Sequence, residues 1–128
     1  MTVRATIDPD HKVVLIRIAR SFRPEMSDAE LYDATRRWWR VGGDRMKLGS
    51  AAAPGYALAV HQGVVRAAYR IAAWEPATRA EISEDHIRDG RWGFIGRIDR
   101  SMEDRYLHVD VTSFFPKGQV NPIRYVNC

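Results

Sequence analysis

The chain has little cysteine and no long apolar run, and each scarcity excludes a class of protein. Its one cysteine, Cys128, excludes an internal disulfide and a thiolate metal site, which indicates a reducing, cytoplasmic setting. No stretch approaches the roughly 20 apolar residues that a membrane span needs. The opening MTVRATIDPD has no apolar run of the kind found in signal peptides. We therefore expect a cytoplasmic protein with no membrane partner.

Recognisable catalytic motifs are also lacking. The sequence contains no GxSxG, P-loop or HExxH pattern, and its four histidines are dispersed without metal-ligand spacing. Carboxylates could still pair in space to bind a metal, and Asp110 is the least ordinary because it alternates with Val109 and Val111. Ion pairing with arginine is the default role for such groups. We predict no catalytic residue, no metal ligand and no cofactor, and we leave enzymatic activity open.

Basic residues outnumber acidic ones, and nearly all of them are arginine. There are 20 Lys+Arg against 16 Asp+Glu, which gives a net charge of +4, and the lysines are Lys12, Lys47 and Lys117. Arginine suits phosphate and stacks on flat rings, so this balance fits contact with nucleic acid. It fits equally well an arginine-rich proteome encoded by GC-rich DNA.

Length and composition predict one domain spanning residues 1–128. The β-branched run HKVVLIRIA (11–19) predicts a buried strand. GYALAVHQGVVRAAYRIAAW predicts a hairpin that turns at Gln62-Gly63, with Val65, Ala67, Tyr69 and Ile71 on one face of its second strand. Later segments predict a short helix at 82–90, a strand in RWGFIGRID, a helical turn capped by Ser101, an alternating strand in HVDVTSFF and a final strand in NPIRYVNC.

The segment PEMSDAELYDATRRWWRVGG predicts the first helix. Ser27 and Glu30 have the spacing of a capping box, Met26 and Leu31 occupy the hydrophobic-staple positions, and Gly42-Gly43 ends the helix. At about 100° per residue, Trp38 falls on the core face, whereas Arg36, Arg37 and Arg40 fall opposite. Trp39 lands on the flank between these faces, beside Tyr32. Few helices and tight hairpins predict an α+β fold, a small, mixed, mainly antiparallel β-barrel with flanking helices.

Three short stretches carry a family resemblance, namely WRVG at 39–42, YALAV at 56–60 and NPIRY at 121–125. With them, the chain from about Val14 to Asn127 resembles the part that accompanies the nuclease module in uncharacterised bacterial GIY-YIG-related proteins. The nuclease module's own GIY and YIG elements are absent, so cleavage activity does not carry over, and the resemblance implies only an association with nucleic-acid processing. The element order also resembles PUA-type domains, including EVE, ASCH and YTH modules. That likeness implies recognition of RNA or a modified base in a pocket beside the early helix.

These observations predict a non-catalytic nucleic-acid-binding module. Trp39 or Trp92 would stack a base, Asn121 would read a base edge, and four arginines would contact phosphates: Arg36, Arg40, Arg45 and Arg66. One alternative is a small metal-dependent nuclease or nucleotide-acting enzyme that uses Asp110. Another is a protein-interaction or dimerisation domain with a Trp-rich interface. RNA against DNA, the base recognised and the oligomeric state stay open.

Overall fold

A computed structural model describes residues 7–18, 23–36, 39–40, 53–76, 91–115, 117–118 and 122–128. Within these ranges, one sheet of six strands carries a helix on each face. The strands are β1 (Val13–Arg17), β2 (Trp39–Arg40), β3 (Tyr56–His61), β4 (Val64–Pro76), β5 (Arg91–Ile98) and β6 (Ile123–Val126). The helices are α1 (Asp28–Arg36) and α2 (Arg100–Tyr106), and a 3₁₀ turn spans Thr112–Phe114.

The sheet is open and mostly antiparallel. Its strand order is β2-β5-β4-β3-β1-β6, and the β1–β3 pair is parallel whereas the other neighbours run antiparallel. The predicted α+β class is confirmed. The predicted closed barrel is wrong, because β2 and β6 lie at opposite edges of the sheet in the described ranges. The PUA-like likeness stays a prediction.

Strand β1 is buried on both of its faces. Val13 and Leu15 contribute to the core under α2, whereas Val14 and Ile16 contribute to the core under α1. All four side chains are 0% exposed. This two-sided burial explains why VVLI, at residues 13–16, is continuously apolar and does not alternate with polar residues.

The hairpin at Gln62-Gly63 is confirmed. Both residues have positive φ, 53° and 76°, as a two-residue type I′ turn requires. The predicted alternation in its second strand is wrong at one point, because Arg66 is the extra residue of a β-bulge between the pairs Ala59↔Ala67 and Val60↔Val65. The bulge reverses the faces, so Val65 packs under α2 and Ala67 packs under α1.

Helix α1 begins as predicted and ends earlier. The Glu30 amide donates to Ser27 Oγ (3.1 Å) and the Ser27 amide donates to Glu30 Oε1 (3.2 Å), which completes the capping box. The helix ends at Arg36 instead of running to Gly42-Gly43, and Trp39 lies in strand β2. The predicted position of Trp39 on the helix flank is therefore wrong. Trp39 pairs across the strands with Trp92, and such aromatic pairing overrides helix propensity.

Two further predictions fail near α2. Its N-cap is Asp99 and not Ser101, since Asp99 Oδ1 accepts from the Met102 amide (3.1 Å). The segment HVDVTSFF forms a 3₁₀ turn, and in the described chain only Asp110 of this segment makes a β-bridge, to Val64. The predicted helix at 82–90 and Trp38 lie outside the described residues.

Neither described helix combines the length and apolar character needed to cross a membrane.

Gly96 is required by close backbone packing between β4 and β5. A methyl group there would overlap the carbonyl oxygen of Arg70, a backbone atom that cannot move aside. We expect Gly96→Ala to lower the free energy of unfolding by about 1–3 kcal/mol in urea denaturation. Gly55→Ala is the control, because open space surrounds that position, and its change should stay within about 0.5 kcal/mol. Equal effects of the two substitutions would contradict the packing described.

Candidate functional site

The structure brings Trp39 and Trp92 together. They are direct partners in the β2–β5 pair, and both are partly buried. Trp39 packs on the core under α1, which also contains Phe94, two residues along β5 from Trp92. Because side chains alternate along a strand, Trp92 and Phe94 belong to the same face of the sheet. The two tryptophans therefore widen the aromatic layer beneath α1.

The indole of Trp39 already has a structural partner. Its Nε1–H donates to the carbonyl oxygen of Thr35 at 2.7 Å. Thr35 lies in the last turn of α1, where carbonyl groups lack acceptor partners within the helix. Trp39 thus satisfies a carbonyl group at the C-terminal end of α1. The one hydrogen-bond donor of its indole, Nε1–H, is used in this contact.

The prediction that Arg36 lies on the exposed face of the helix is wrong, because its side chain is largely enclosed. Its side chain is 13% exposed, one Nη donates to Glu75 Oε1 at 2.6 Å, and Nε donates to the carbonyl oxygen of Phe94 at 3.2 Å. The guanidinium also lies 5.6 Å from the ring centroid of Tyr32. A helical wheel gives only the direction in which a side chain leaves the helix. It does not show that the long side chain of Arg36 extends to Glu75 and to the Phe94 carbonyl. The carboxylate of Glu75 neutralises this charge.

Helix α1 also satisfies the outer edge of β5. The Gly96 amide donates to the Tyr32 hydroxyl at 2.9 Å, and the Phe94 carbonyl accepts from Arg36. Strand β2 is two residues long, so it covers only the start of this edge in the described chain. Side chains of α1 therefore take the place of a longer neighbouring strand.

The remaining predicted residues do not join this group. Arg66 donates to the His61 carbonyl (3.4 Å) and lies roughly 30 Å along β4 from Pro76, the partner of Trp92, at about 3.3 Å per residue. The backbone of Arg40 pairs with Arg91, but its side chain lies outside the described residues. Arg45 and Asn121 lie outside them entirely.

Arg70 and Arg97, which the sequence reading did not select, face each other across β4 and β5. Arg70 is 54% exposed at its side chain, with Nε 3.5 Å from Asp99 Oδ2 and the guanidinium 5.9 Å from the Tyr56 ring centroid. Arg97 is exposed, and none of the described carboxylates lies within ion-pair distance of it. The alternation of side chains along a strand assigns each arginine to a face, but their opposition depends on the register between the two strands.

A cleft of about 320 Å³ lies between these two arginines. A second bulge lies in its wall, since Ile71 pairs with Gly96 and Ala73 pairs with Ile95, which leaves Ala72 as the extra residue. Ile95 is 43% exposed, and no other large hydrophobic side chain in the described chain is classed as exposed. The cleft is lined by Arg70, Ile71, Ala72, Ile95, Gly96 and Arg97. It combines two cations with an apolar floor.

Asp99 contacts one of the two cleft arginines, since its Oδ2 lies 3.5 Å from Arg70 Nε. A hydrogen bond from the Ser101 hydroxyl, the amide of Met102 and the charge of Arg70 lower its pKa. Asp99 is therefore a carboxylate at neutral pH. It offsets part of the charge of Arg70 while it caps α2.

Asp110 carries the enzymatic alternative. It is exposed, and hydrogen bonds from the Thr112 hydroxyl and amide lower its pKa, with the amide donating at 2.8 Å. Its carboxylate thus accepts a hydrogen bond from the first backbone amide of the 3₁₀ turn. Across the described ranges, no group of three His, Cys, Asp or Glu side chains is placed to hold a metal ion.

Comparisons with protein-family models, curated proteins and solved structures each give no match to this chain. The resemblance to GIY-YIG-associated domains stays a prediction.

The enclosed Arg36–Glu75 pair should contribute measurably to stability. We expect Arg36→Met to lower the free energy of unfolding by about 1–3 kcal/mol, because it removes charged hydrogen bonds to Glu75 and to the Phe94 carbonyl. Arg23→Met is the matched control, since Arg23 and Glu30 form an exposed pair at 3.0 Å, for which about 0–1 kcal/mol is expected. Urea denaturation of both variants measures the difference, and comparable losses would refute the structural role of Arg36.

The lowered pKa of Asp99 makes part of the stability depend on pH. Its contribution is fully present above the ordinary Asp pKa of about 3.9 and is lost as the pH falls through the lower folded-state value. Asp99→Ala should cost about 1 kcal/mol at pH 7, whereas Asp99→Ser, which keeps a capping oxygen, should cost less. In urea titrations, the deficit of both variants should shrink toward pH 3. A deficit independent of pH would contradict the charged cap.

Proposed function

We propose that this protein is a nucleic-acid-binding module whose phosphate-binding surface is the cleft between Arg70 and Arg97. The observation that carries the proposal is the direct opposition of these two arginines on a part of the sheet that none of the described elements covers. Like charges directly opposite each other on neighbouring strands destabilise a sheet by about 0.2–1 kcal/mol. A bound phosphate placed between them would remove that repulsion. The electrostatic energy of the two arginines is therefore more favourable with a phosphate bound than without one.

The distribution of ion pairs supports this choice of surface. Several other arginines have carboxylate partners at short distances: Arg23 with Glu30, Arg36 with Glu75, Arg100 with Glu103 and Arg105 with Asp8. Arg70 has a longer contact of 3.5 Å to Asp99. The net charge of +4 adds a favourable field for a polyanion.

The tryptophans take a different role in this proposal from the one predicted. Trp39 and Trp92 support β5 from the face under α1, while the cleft opens on the opposite face, where Arg70 and Tyr56 lie. Arg36 contributes through its bond to the Phe94 carbonyl, which positions the same strand. In this proposal these three residues stabilise strand β5, and the nucleic acid does not contact them.

The proposal predicts that Arg97 matters for binding more than an equally exposed arginine elsewhere. Arg97→Gln should weaken binding of a labelled oligonucleotide about fivefold and reduce the salt slope by about one, because one phosphate contact is lost. Fluorescence anisotropy between about 50 and 200 mM salt measures both quantities. The stability of this variant should be unchanged or slightly higher, since a like-charge contact is removed.

Arg124→Gln is the matched control, because Arg124 is an exposed arginine on edge strand β6 and its loss changes the net charge equally. It should have a much smaller effect on affinity. Absence of wild-type binding to RNA and DNA at low salt, or equal effects of the two substitutions, would refute the proposal.

A further inference from the structure

We infer that the Arg70–Arg97 cleft takes a single-stranded nucleic acid, with a phosphate between the two guanidinium groups and the adjoining base over Ile95 and Ala72. This inference rests on the proposed function and names the form of nucleic acid bound. It depends on three features of the cleft: its size, the spacing of its cations and its apolar floor.

The size of the cleft fits one nucleotide unit. A volume of about 320 Å³ lies at the lower end of the range of about 300–1,000 Å³ for small-molecule sites. In a duplex the bases are stacked and paired inside the helix, so a phosphate-binding cleft cannot also enclose a base. An unpaired base can turn away from its neighbours and enter such a cleft. The concave shape therefore favours a single strand.

The spacing of the arginines fits one phosphate. Directly opposed residues of antiparallel strands have Cα atoms about 4.5–5.5 Å apart, so both guanidinium groups can reach the same anion. Asp99 and Tyr56 hold Arg70 in place, with the Asp99 carboxylate 3.5 Å from Nε. Arg97, with no described carboxylate within ion-pair distance, can turn toward a ligand.

The floor of the cleft provides an apolar surface for a base. Ile95 is 43% exposed, Ala72 is exposed, and both line the cleft. A flat base can cover this surface while a guanidinium plane stacks on the ring, as arginine does in many RNA sites. Charge complementarity selects an anionic partner, and the arginines facing each other disfavour a second copy of this chain packed face to face on the cleft.

The test compares three probes of equal length: a single-stranded oligonucleotide, the same sequence in a duplex, and an abasic deoxyribose-phosphate strand. The wild-type protein should bind the single strand about tenfold more tightly than the duplex or the abasic strand. Ile95→Thr keeps a β-branched residue at an exposed strand position, so the sheet should be retained, and an unchanged thermal unfolding curve would verify this. This variant should weaken single-strand binding about fivefold and leave duplex and abasic binding unchanged.

The outcomes separate the inference from the function on which it rests. Absence of binding to all three probes would overturn the proposed function. Equal binding of all three probes that still depends on Arg97 would leave the proposed function intact and overturn the single-strand inference. A single-strand preference that Ile95→Thr does not alter would overturn the placement of the base on the floor of the cleft.

Discussion

Side chains of α1 satisfy the part of the outer edge of β5 that β2 does not pair with in the described chain, and the arrangement of this half of the sheet follows from that constraint. Strand β2 pairs with β5 at Trp92 and Arg91. Beyond that point Arg36 bonds the Phe94 carbonyl and Tyr32 bonds the Gly96 amide. These contacts join α1 directly to β5, which pairs with β4 along its other edge. Loss of α1 would expose polar groups of the backbone that water or another chain would then have to satisfy.

The same sheet presents two different surfaces along its length. Around β1 and β3 both faces are buried, by α1 on one side and by α2 with the 3₁₀ turn on the other. Around the second half of β4 the face opposite α1 lacks a described covering element, and Ala72 and Ile95 are exposed there. Bulges at Arg66 and Ala72 divide the long strand β4 into segments whose side chains face different layers. The second bulge lies in the wall of the cleft between Arg70 and Arg97.

Charge follows this division of the sheet. Arg36 is enclosed under α1 and neutralised by Glu75, so it acts as part of the interior. Arg70 and Arg97 lie on a face that no described element covers, where water screens their repulsion. The arginines of this chain therefore occupy two kinds of environment, one enclosed and neutralised and one exposed to solvent.

The sequence by itself determined the features whose causes lie within a few residues. The Ser27–Glu30 capping box, the Gln62-Gly63 turn and the two-sided burial of β1 are local hydrogen bonds, backbone angles and hydrophobic patterns, and each was predictable. Tertiary structure decided the end of α1 at Arg36, the pairing of Trp39 with Trp92 and the opposition of Arg70 and Arg97. These depend on strand register, which brings together residues tens of positions apart. A helical wheel or an alternation pattern describes one segment at a time. It therefore cannot give the register between two strands or identify the residue that lies opposite on the neighbouring strand.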